Sequence, residues 1–469
     1  MASILKVVSN ENPPAVSLTV MQQVLHRQQR RAQELLNANR RAHQRRLNQF
    51  QHALKKHQTA LTEAVHADIK AHSAEVAVVE WAPIFGALKE AQQLTKQWHK
   101  KPRIQRWFSQ TPTVRHLGRG CCLVVCAWQQ PLAQPLIHCI AALAAGNTVV
   151  LKPSHKTPNV ARALAHMIEL ELDPADVAIF LGDARIASGL LSLKFDYSYV
   201  CGHNAALQHI QGQWKNAADK LHMQALRPVV GIVDTSADPE QAAKQIAWSR
   251  YRYSGQTDSG PHVLLVHEGL RHRFINELKQ AGETLYGQTL GRQRYNKAYA
   301  RLRDNEQFEQ IRKLFIEARD HGAKDTIGGH FFQRDFFISP SVLVDVLDSA
   351  KIVKTPSSGP VLPVLVYDSP QRLDTLLNQF GHVHCINAYT RNAEELMQQV
   401  GNHSDEVLVN PSHSQTAHNL IAPMTTLLER FSVRQPVQPR RKQWFEKLRP
   451  PWQERKLEWL QRWLRRLSQ

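Results

Sequence analysis

The sequence lacks any run of about 18 apolar residues, which excludes a membrane-spanning helix. Its start, Met1-Ala2-Ser3-Ile4-Leu5-Lys6, has too short an apolar core for a secretory signal. Cysteine is scarce for the length, six in 469 residues, and Cys121, Cys122, Cys126, Cys139, Cys201 and Cys385 form no paired CxxC spacing for zinc. They read as reduced, buried thiols of a cytoplasmic protein. The 24 histidines include His52, His57, His382 and His384, yet none makes an HxxxH or HExxH set, so no metal site is expected. Acidic residues are the minority charge: 59 Lys and Arg against 40 Asp and Glu leave +19. Such a balance favours anionic partners in general. The Arg-rich N-terminal helices nevertheless have little aromatic interleaving and no binding motif, so nucleic acid is not expected and a solvated helix face is preferred.

What remains is an ordinary globular composition, 42% hydrophobic and 21% charged, with length for two or three domains. Residues 1–18, with Asn12-Pro13-Pro14 and no periodicity, read as a loose tail. From Thr19 to about Trp98 the spacing is helical, with Leu25, Leu35, Leu47, Phe50 and Leu54 and then Val76, Val79, Trp81, Phe85 and Leu88 facing inward. Two short apolar runs follow, Cys121–Val125 and Thr148–Leu151, on either side of an apolar helix ending Ala144-Ala145-Gly146-Asn147. That is a βαβ unit, and ligand is expected at the carboxyl ends of its strands.

Residues 118–131, GRGCCLVVCAWQQP, and the AALAAGNTVVLKPS of 141–154 resemble the aldehyde dehydrogenase superfamily, the second nearly verbatim. Phe195–His203, Leu221–Pro228, Tyr253–Gly260, Phe337–Val346 and Thr355–Val364 resemble its later motifs in register. The resemblance spans roughly Thr19 to Gln435 and weakens after Asn410. It implies an α/β fold with a Rossmann-type cofactor domain, a catalytic α/β domain and a small oligomerisation extension. The expected boundaries are 19–224, with N-terminal helices and a hairpin near 101–116, then 225–410 and 411–438. The class-3 branch is the resembling group, and a homodimer is implied.

The same resemblance locates the chemistry. Asp258 stands where the family has its nucleophilic cysteine, in SGQ-x-C. A carboxylate is a poorer nucleophile than a thiolate. Gln224 stands at the general-base glutamate and cannot take up a proton at neutral pH. Gln129 stands at the oxyanion-binding asparagine, one methylene longer. On the cofactor side, Trp128, Lys152, Pro153, Gly202 and His203 match the binding positions, with His203 and Leu207 adding bulk, while Pro356 replaces the ribose-binding glutamate. These departures imply a catalytically inactive member with a binding, scaffold or regulatory role and no cofactor. The alternative is an NAD(P)-dependent oxidoreductase acting on aldehydes, or a changed reaction using Asp258, with NAD or NADP bound if the ancestral pocket is open.

The last segment, 439–469, differs in kind. A helix after Pro450-Pro451 puts Trp452, Leu457, Trp459, Leu460, Trp463, Leu464 and Leu467 on one side and Arg455, Arg462, Arg465 and Arg466 on the other. That pattern suits either an anionic membrane surface or docking on the protein's own dimer. The protein is thus expected in the cytoplasm, with peripheral membrane attachment through 440–469 left open.

Overall fold

A computed structural model describes residues 17–98, 113–202, 204–214, 218–257, 259–355, 358–418 and 421–437, and of the last segment only 458–459, 461–462 and 465–466. The loose tail expected at 1–18 therefore lies almost wholly outside the described residues.

The chain opens with α1 (Leu18–Leu36), α2 (Arg40–Ile69), the short α3 (Ser73–Val76), a π-turn at Ala77–Trp81, and α4 (Ala82–Trp98). Ser17 and Asn39 cap the first two through their side chains, supplying acceptors for otherwise orphaned N–H groups. The first α/β unit contains β1 (Thr113–Gly118), β2 (Cys121–Val125), α5 (Ala133–Ala144), β3 (Thr148–Lys152), α6 (Pro158–Glu171), β4 (Val177–Ile179), α7 (Ala184–Leu191), β5 (Tyr197–Gly202), α8 (Asn204–Gln213) and β6 (Leu221–Ala225). The second contains β7 (Val229–Val233), α9 (Pro239–Tyr251), β8 (Val263–His267), α10 (Arg271–Tyr286), α11 (Leu290–Tyr295), α12 (Asn305–Asp320), β9 (Lys324–Ile327), β10 (Phe331–Phe332), β11 (Phe337–Ile338), β12 (Ser341–Val344), α13 (Lys351–Lys354), β13 (Val361–Tyr367), α14 (Pro370–Phe380), β14 (Val383–Tyr389), α15 (Ala393–Val400) and β15 (Ser404–Val409). The chain then returns through α16 (His413–His418), α17 (Met424–Arg430) and β16 (Ser432–Val437).

Strands β4-β3-β2-β5-β6 form one five-stranded sheet, parallel throughout. Covered on both faces, β2 and β3 read as unbroken buried runs rather than alternating ones. Helix α5 is buried along its whole length, which explains its apolar residues all round. The second sheet runs β15-β14-β7-β8-β13-β12-β9, with only β9 antiparallel, at an edge.

Polar residues stitch the helices to the first sheet. Gln28, fully buried on α1, donates to Val149 O and Pro174 O. Asn147 accepts from Gly120 N and donates to Ala142 O and Phe431 O, joining three segments at one amide. Much of the N-terminal basic charge is used internally: Arg31 and Arg46 both pair with Asp176, and Arg27 pairs with Asp173.

Of the hairpin expected near 101–116, residues 101–112 lie outside the described residues. The described part, β1, is paired antiparallel with β16 more than 300 residues later. In the 411–438 segment, Met424, Leu427, Leu428 and Phe431 join the core of the first unit. In the last segment Trp459 is exposed and Arg462 pairs with Glu458 one turn away, whereas Trp452, Arg455, Leu457, Leu460, Trp463, Leu464 and Leu467 lie outside the described residues. Among the described residues, no helix is long and apolar enough to cross a membrane.

Candidate active and nucleotide site

The loop that precedes β8 packs against the first unit: Tyr253 joins that unit's core, and Arg303, whose N bonds Gln256, lies over Trp128 just after β2. That loop is held in an unusual backbone shape. Tyr253 and Ser254 have φ of 50° and 55°, and Gly255 follows at 71°. Non-glycine residues in that region cost of order 1–3 kcal/mol each and persist only when the surroundings fix them. Gln256 does much of the fixing. Fully buried, it donates to Tyr253 O and Arg301 O and accepts from Arg303 N. Glu75 adds a bond from Tyr253 N, at 3.0 Å. Gly255 is required twice over, by its φ and because an added Cβ would lie 2.2 Å from Gly359 O.

Arg252, fully buried, holds both neighbours of position 258. Its Nε donates to Thr257 Oγ1 at 3.1 Å, and its Nη2 donates to Ser259 Oγ and Thr416 O. The guanidinium also lies over Trp248, 4.7 Å from the ring centre. Burial lowers its pKa to about 10, against the raising effect of Glu75. Asp258 itself lies outside the described residues, as do His203 and Pro356.

The other expected residues lie on or just after the carboxyl ends of β2, β3, β5 and β6. Trp128 and Gln129 form the turn after β2, both nearly buried, and the Gln129 side-chain oxygen accepts from Trp128 N at 3.1 Å. Lys152 ends β3 with its ammonium turned onto Pro153 O at 2.8 Å. Burial draws its pKa down to about 8, Asp183 opposing. Gln224 on β6 sits in register with Cys201 on β5, next to Gly202. Its Oε1 accepts from the Tyr199 hydroxyl at 2.7 Å. Tyr199 in turn is stacked on His138, whose pKa burial lowers to about 4.

All six cysteines are buried and unpaired by disulfide. Desolvation pushes the Cys121 and Cys139 thiols up to about 12, and Cys122 and Cys126 well above their usual value. Among the described residues no group of three metal-ligating side chains occurs. A cavity of about 160 Å³, bordered by Asp234, His267 and Tyr367, lies at the opposite, carboxyl edge of the second sheet.

The profile of the aldehyde dehydrogenase family matches residues 20–413. The chain belongs to the aldehyde dehydrogenase family. Among curated relatives in it, the 4,4'-diapolycopene-4,4'-dial dehydrogenase of Cytobacillus firmus is 27% identical over 345 residues, 71% of this chain and 72% of that one. Aldehyde dehydrogenase family 3 member B1 of Homo sapiens is 27% identical over 355 residues, 74% of this chain and 73% of that one. The substrate-bound structure of Staphylococcus aureus AldH has the same fold, with a TM-score of 0.83 at 20% identity, covering 95% of this chain and 99% of that one.

NAD or NADP needs cationic groups for its phosphates and close backbone approach at the strand ends. The phosphate end fits in charge, since Lys152 lies at the strand end and Arg303 beside Trp128. Beside Gly202 stands buried Leu207, at ordinary van der Waals distance, 3.7 Å, from where a Cβ on that glycine would lie.

Sequence reasoning missed four contributors: Arg252, Tyr199, Arg303 and the buried Glu80, whose Oε2 accepts from Leu132 N and Ala133 N at the start of α5. The pair Arg250 and Arg252, alternating with Tyr251 and Tyr253 before SGQ, was the available signal for Arg252. The others make contacts too distant in sequence to be read from spacing.

Proposed function

We propose that this member of the aldehyde dehydrogenase family binds a ligand in the cleft between its two sheets without oxidising it through a thioester, and acts as a binding, scaffold or regulatory protein. One observation carries the reading. The reacting loop is organised around a buried arginine, with aspartate in its nucleophile position, while the six cysteines are all buried. Burial keeps a thiol protonated, and a protonated thiol does not attack a carbonyl. Gln224, tied to Tyr199, has no basic lone pair to replace the glutamate.

The second reading is an NAD(P)-dependent oxidoreductase acting on aldehydes. Kinship with proteins named as dehydrogenases supports this reading more strongly than the first, and the retained Lys152 is consistent with it. In either case we propose the unit boundaries near 225 and 410, a homodimer, and a location in the cytoplasm. Attachment of 440–469 to an anionic membrane surface belongs to the same proposal, with docking on the dimer as the competing arrangement.

Turnover separates the readings. The full chain is incubated with NAD or NADP and a panel of aliphatic and aromatic aldehydes, and absorbance at the reduced-nicotinamide band is followed. The binding reading expects no reduced cofactor from the natural protein. It expects measurable turnover only in the Asp258→Cys, Gln224→Glu double variant, if at all. Reduced cofactor formed by the natural protein overturns the binding reading and establishes the oxidoreductase.

A further inference from the structure

The second sheet has a change of winding direction of its own. From β7 the chain passes through α9 to β8 on one side, and from β13 it returns through α14 to β14 on the other. Helices α9 and α10 pack on one face of the sheet, and α12, α14 and α15 on the opposite face. The loops after β7 and β14 therefore leave in different directions, and a crevice forms at the carboxyl ends where they part. In open α/β sheets that crevice is where ligands bind. Here it is the cavity of about 160 Å³ between the ends of β7, β8 and β13 and the starts of α14 and α15. An engineered cavity of about 150 Å³ is large enough for benzene, so one small ring fits. The whole of β8, five residues and roughly 15 Å, separates it from the loop that carries position 258.

The lining selects by charge. In a chain of net charge +19, the cavity is bordered by Asp234 and Glu395 and, among the described residues, by no lysine or arginine. Asp234 is saturated by four neutral donors, Ser236 N and the hydroxyls of Thr235, Ser236 and Thr390. It keeps its charge and has no lone pair to spare for a ligand. A phosphate or carboxylate would meet two carboxylates and no cation, which disfavours it.

The remaining groups are of mixed sense. His267 Nδ1 accepts from Gly269 N at 3.1 Å, which leaves the ring proton on Nε2 as a donor. Gln399 donates to Pro370 O at 2.7 Å, which leaves its side-chain oxygen as an acceptor. Asn392 precedes α15 without capping it, so its amide offers both. Tyr367 turns its hydroxyl to Val233 O, and its ring, with buried Leu373 and Leu396, supplies an apolar wall. A bare cation would face donors that it cannot satisfy, and an apolar ring would strand every polar group. A hydroxyl donates and accepts, and hydroxyls on a carbon ring satisfy the whole set.

We propose that this cavity binds a neutral polyhydroxylated ring, either a free sugar or the sugar of a nucleoside. Glu395 and Gln399 accept its hydroxyl protons, His267 and Asn392 donate to its oxygens, and Tyr367 takes its carbon face. It is a second site, apart from the cleft between the sheets.

The test uses the full-length protein and an Asn392→Ala, Glu395→Ala double variant. Both side chains are exposed and Asn392 caps nothing, so the variant should keep the natural thermal midpoint. D-ribose probes the free-sugar source, uridine the nucleoside source, and propylammonium a cation, each at low and raised salt. Binding is read by calorimetry and by saturation-transfer NMR. Ribose or uridine should bind the natural protein, at roughly millimolar strength for so small a ligand, and the variant about tenfold or more weakly. Salt should leave that binding unchanged, because neither probe is charged. Equal binding of the two would assign a free sugar, and tighter uridine a nucleoside. The proposal is overturned if neither binds, if both proteins bind alike, or if propylammonium alone binds and salt weakens it. Should the double variant fail to fold, Thr235→Trp replaces it by filling the cavity from its exposed rim, and undiminished binding there overturns the location. Turnover is read at the other end of β8, so either result leaves the cleft between the sheets separately decided.

Discussion

Glu80 offers the sharpest quantitative prediction. It is fully buried in the π-turn, and its Oε2 accepts from Leu132 N at 3.2 Å and Ala133 N at 2.6 Å. Helix α5 has no side-chain cap of its own, so Glu80 supplies one from 52 residues before Leu132. The Tyr253 phenol lies beside the other oxygen without closing a well-aligned bond. Burial raises the pKa from 4.5 to about 7, against these hydrogen bonds. The fold therefore holds a proton that the unfolded chain has released between those two values. Stability from this group is whole below the unfolded pKa and is lost as pH rises through about 7. The gap corresponds to a penalty of about 3 kcal/mol once the carboxylate is forced to ionise. A Glu80→Gln variant keeps an oxygen for both N–H groups and never ionises. Urea denaturation of both proteins should show equal stability near pH 4.5 and a growing advantage for the variant, up to about 3 kcal/mol, by pH 8. Glu75, also raised to about 7 by burial, would leave the variant a residual slope of the same sign. A variant less stable than the natural protein at pH 8 would refute the reasoning, because it would mean the ionised carboxylate is the better cap.

Two further outcomes follow from the same geometry. Gly255→Ala must accommodate a Cβ at 2.2 Å from Gly359 O at a φ of 71°; a loss above about 2 kcal/mol is expected by chemical denaturation, and a neutral substitution would show that the loop is not held as described. A thiol reagent should label none of the six cysteines rapidly in the folded protein and all six in urea; one fast-reacting thiol in the native state would reopen cysteine chemistry.

The buried runs of β2 and β3, the apolar α5 and the N-terminal helices were legible because burial on every face writes a continuous pattern. The placement of Trp128, Gln129, Lys152 and Pro153 at the ends of β2 and β3 was legible because they lie in two short motifs around that βαβ unit. What spacing could not supply is contact across the chain. Arg252 meets Thr416 O 164 residues on, and β1 pairs with β16. The left-handed turn at Tyr253 and Ser254 was equally hidden, since neither residue favours that shape and the groups that fix it are remote: Glu75 accepts from Tyr253 N, and Gln256 is anchored on Arg301 O. Leu207 was readable as added bulk, but its placement beside Gly202 is a property of the fold.

The return of α17 and β16 to the first unit has a consequence for synthesis. The first unit's core is closed by Met424, Leu427, Leu428 and Phe431, and its Asn147 needs Phe431 O as an acceptor. A ribosome therefore delivers the whole second unit before the first can finish. The earlier-made half waits, with part of its apolar core uncovered, for a short C-terminal clasp, and a nascent chain stalled before 424 would offer chaperones an open core rather than an independent domain.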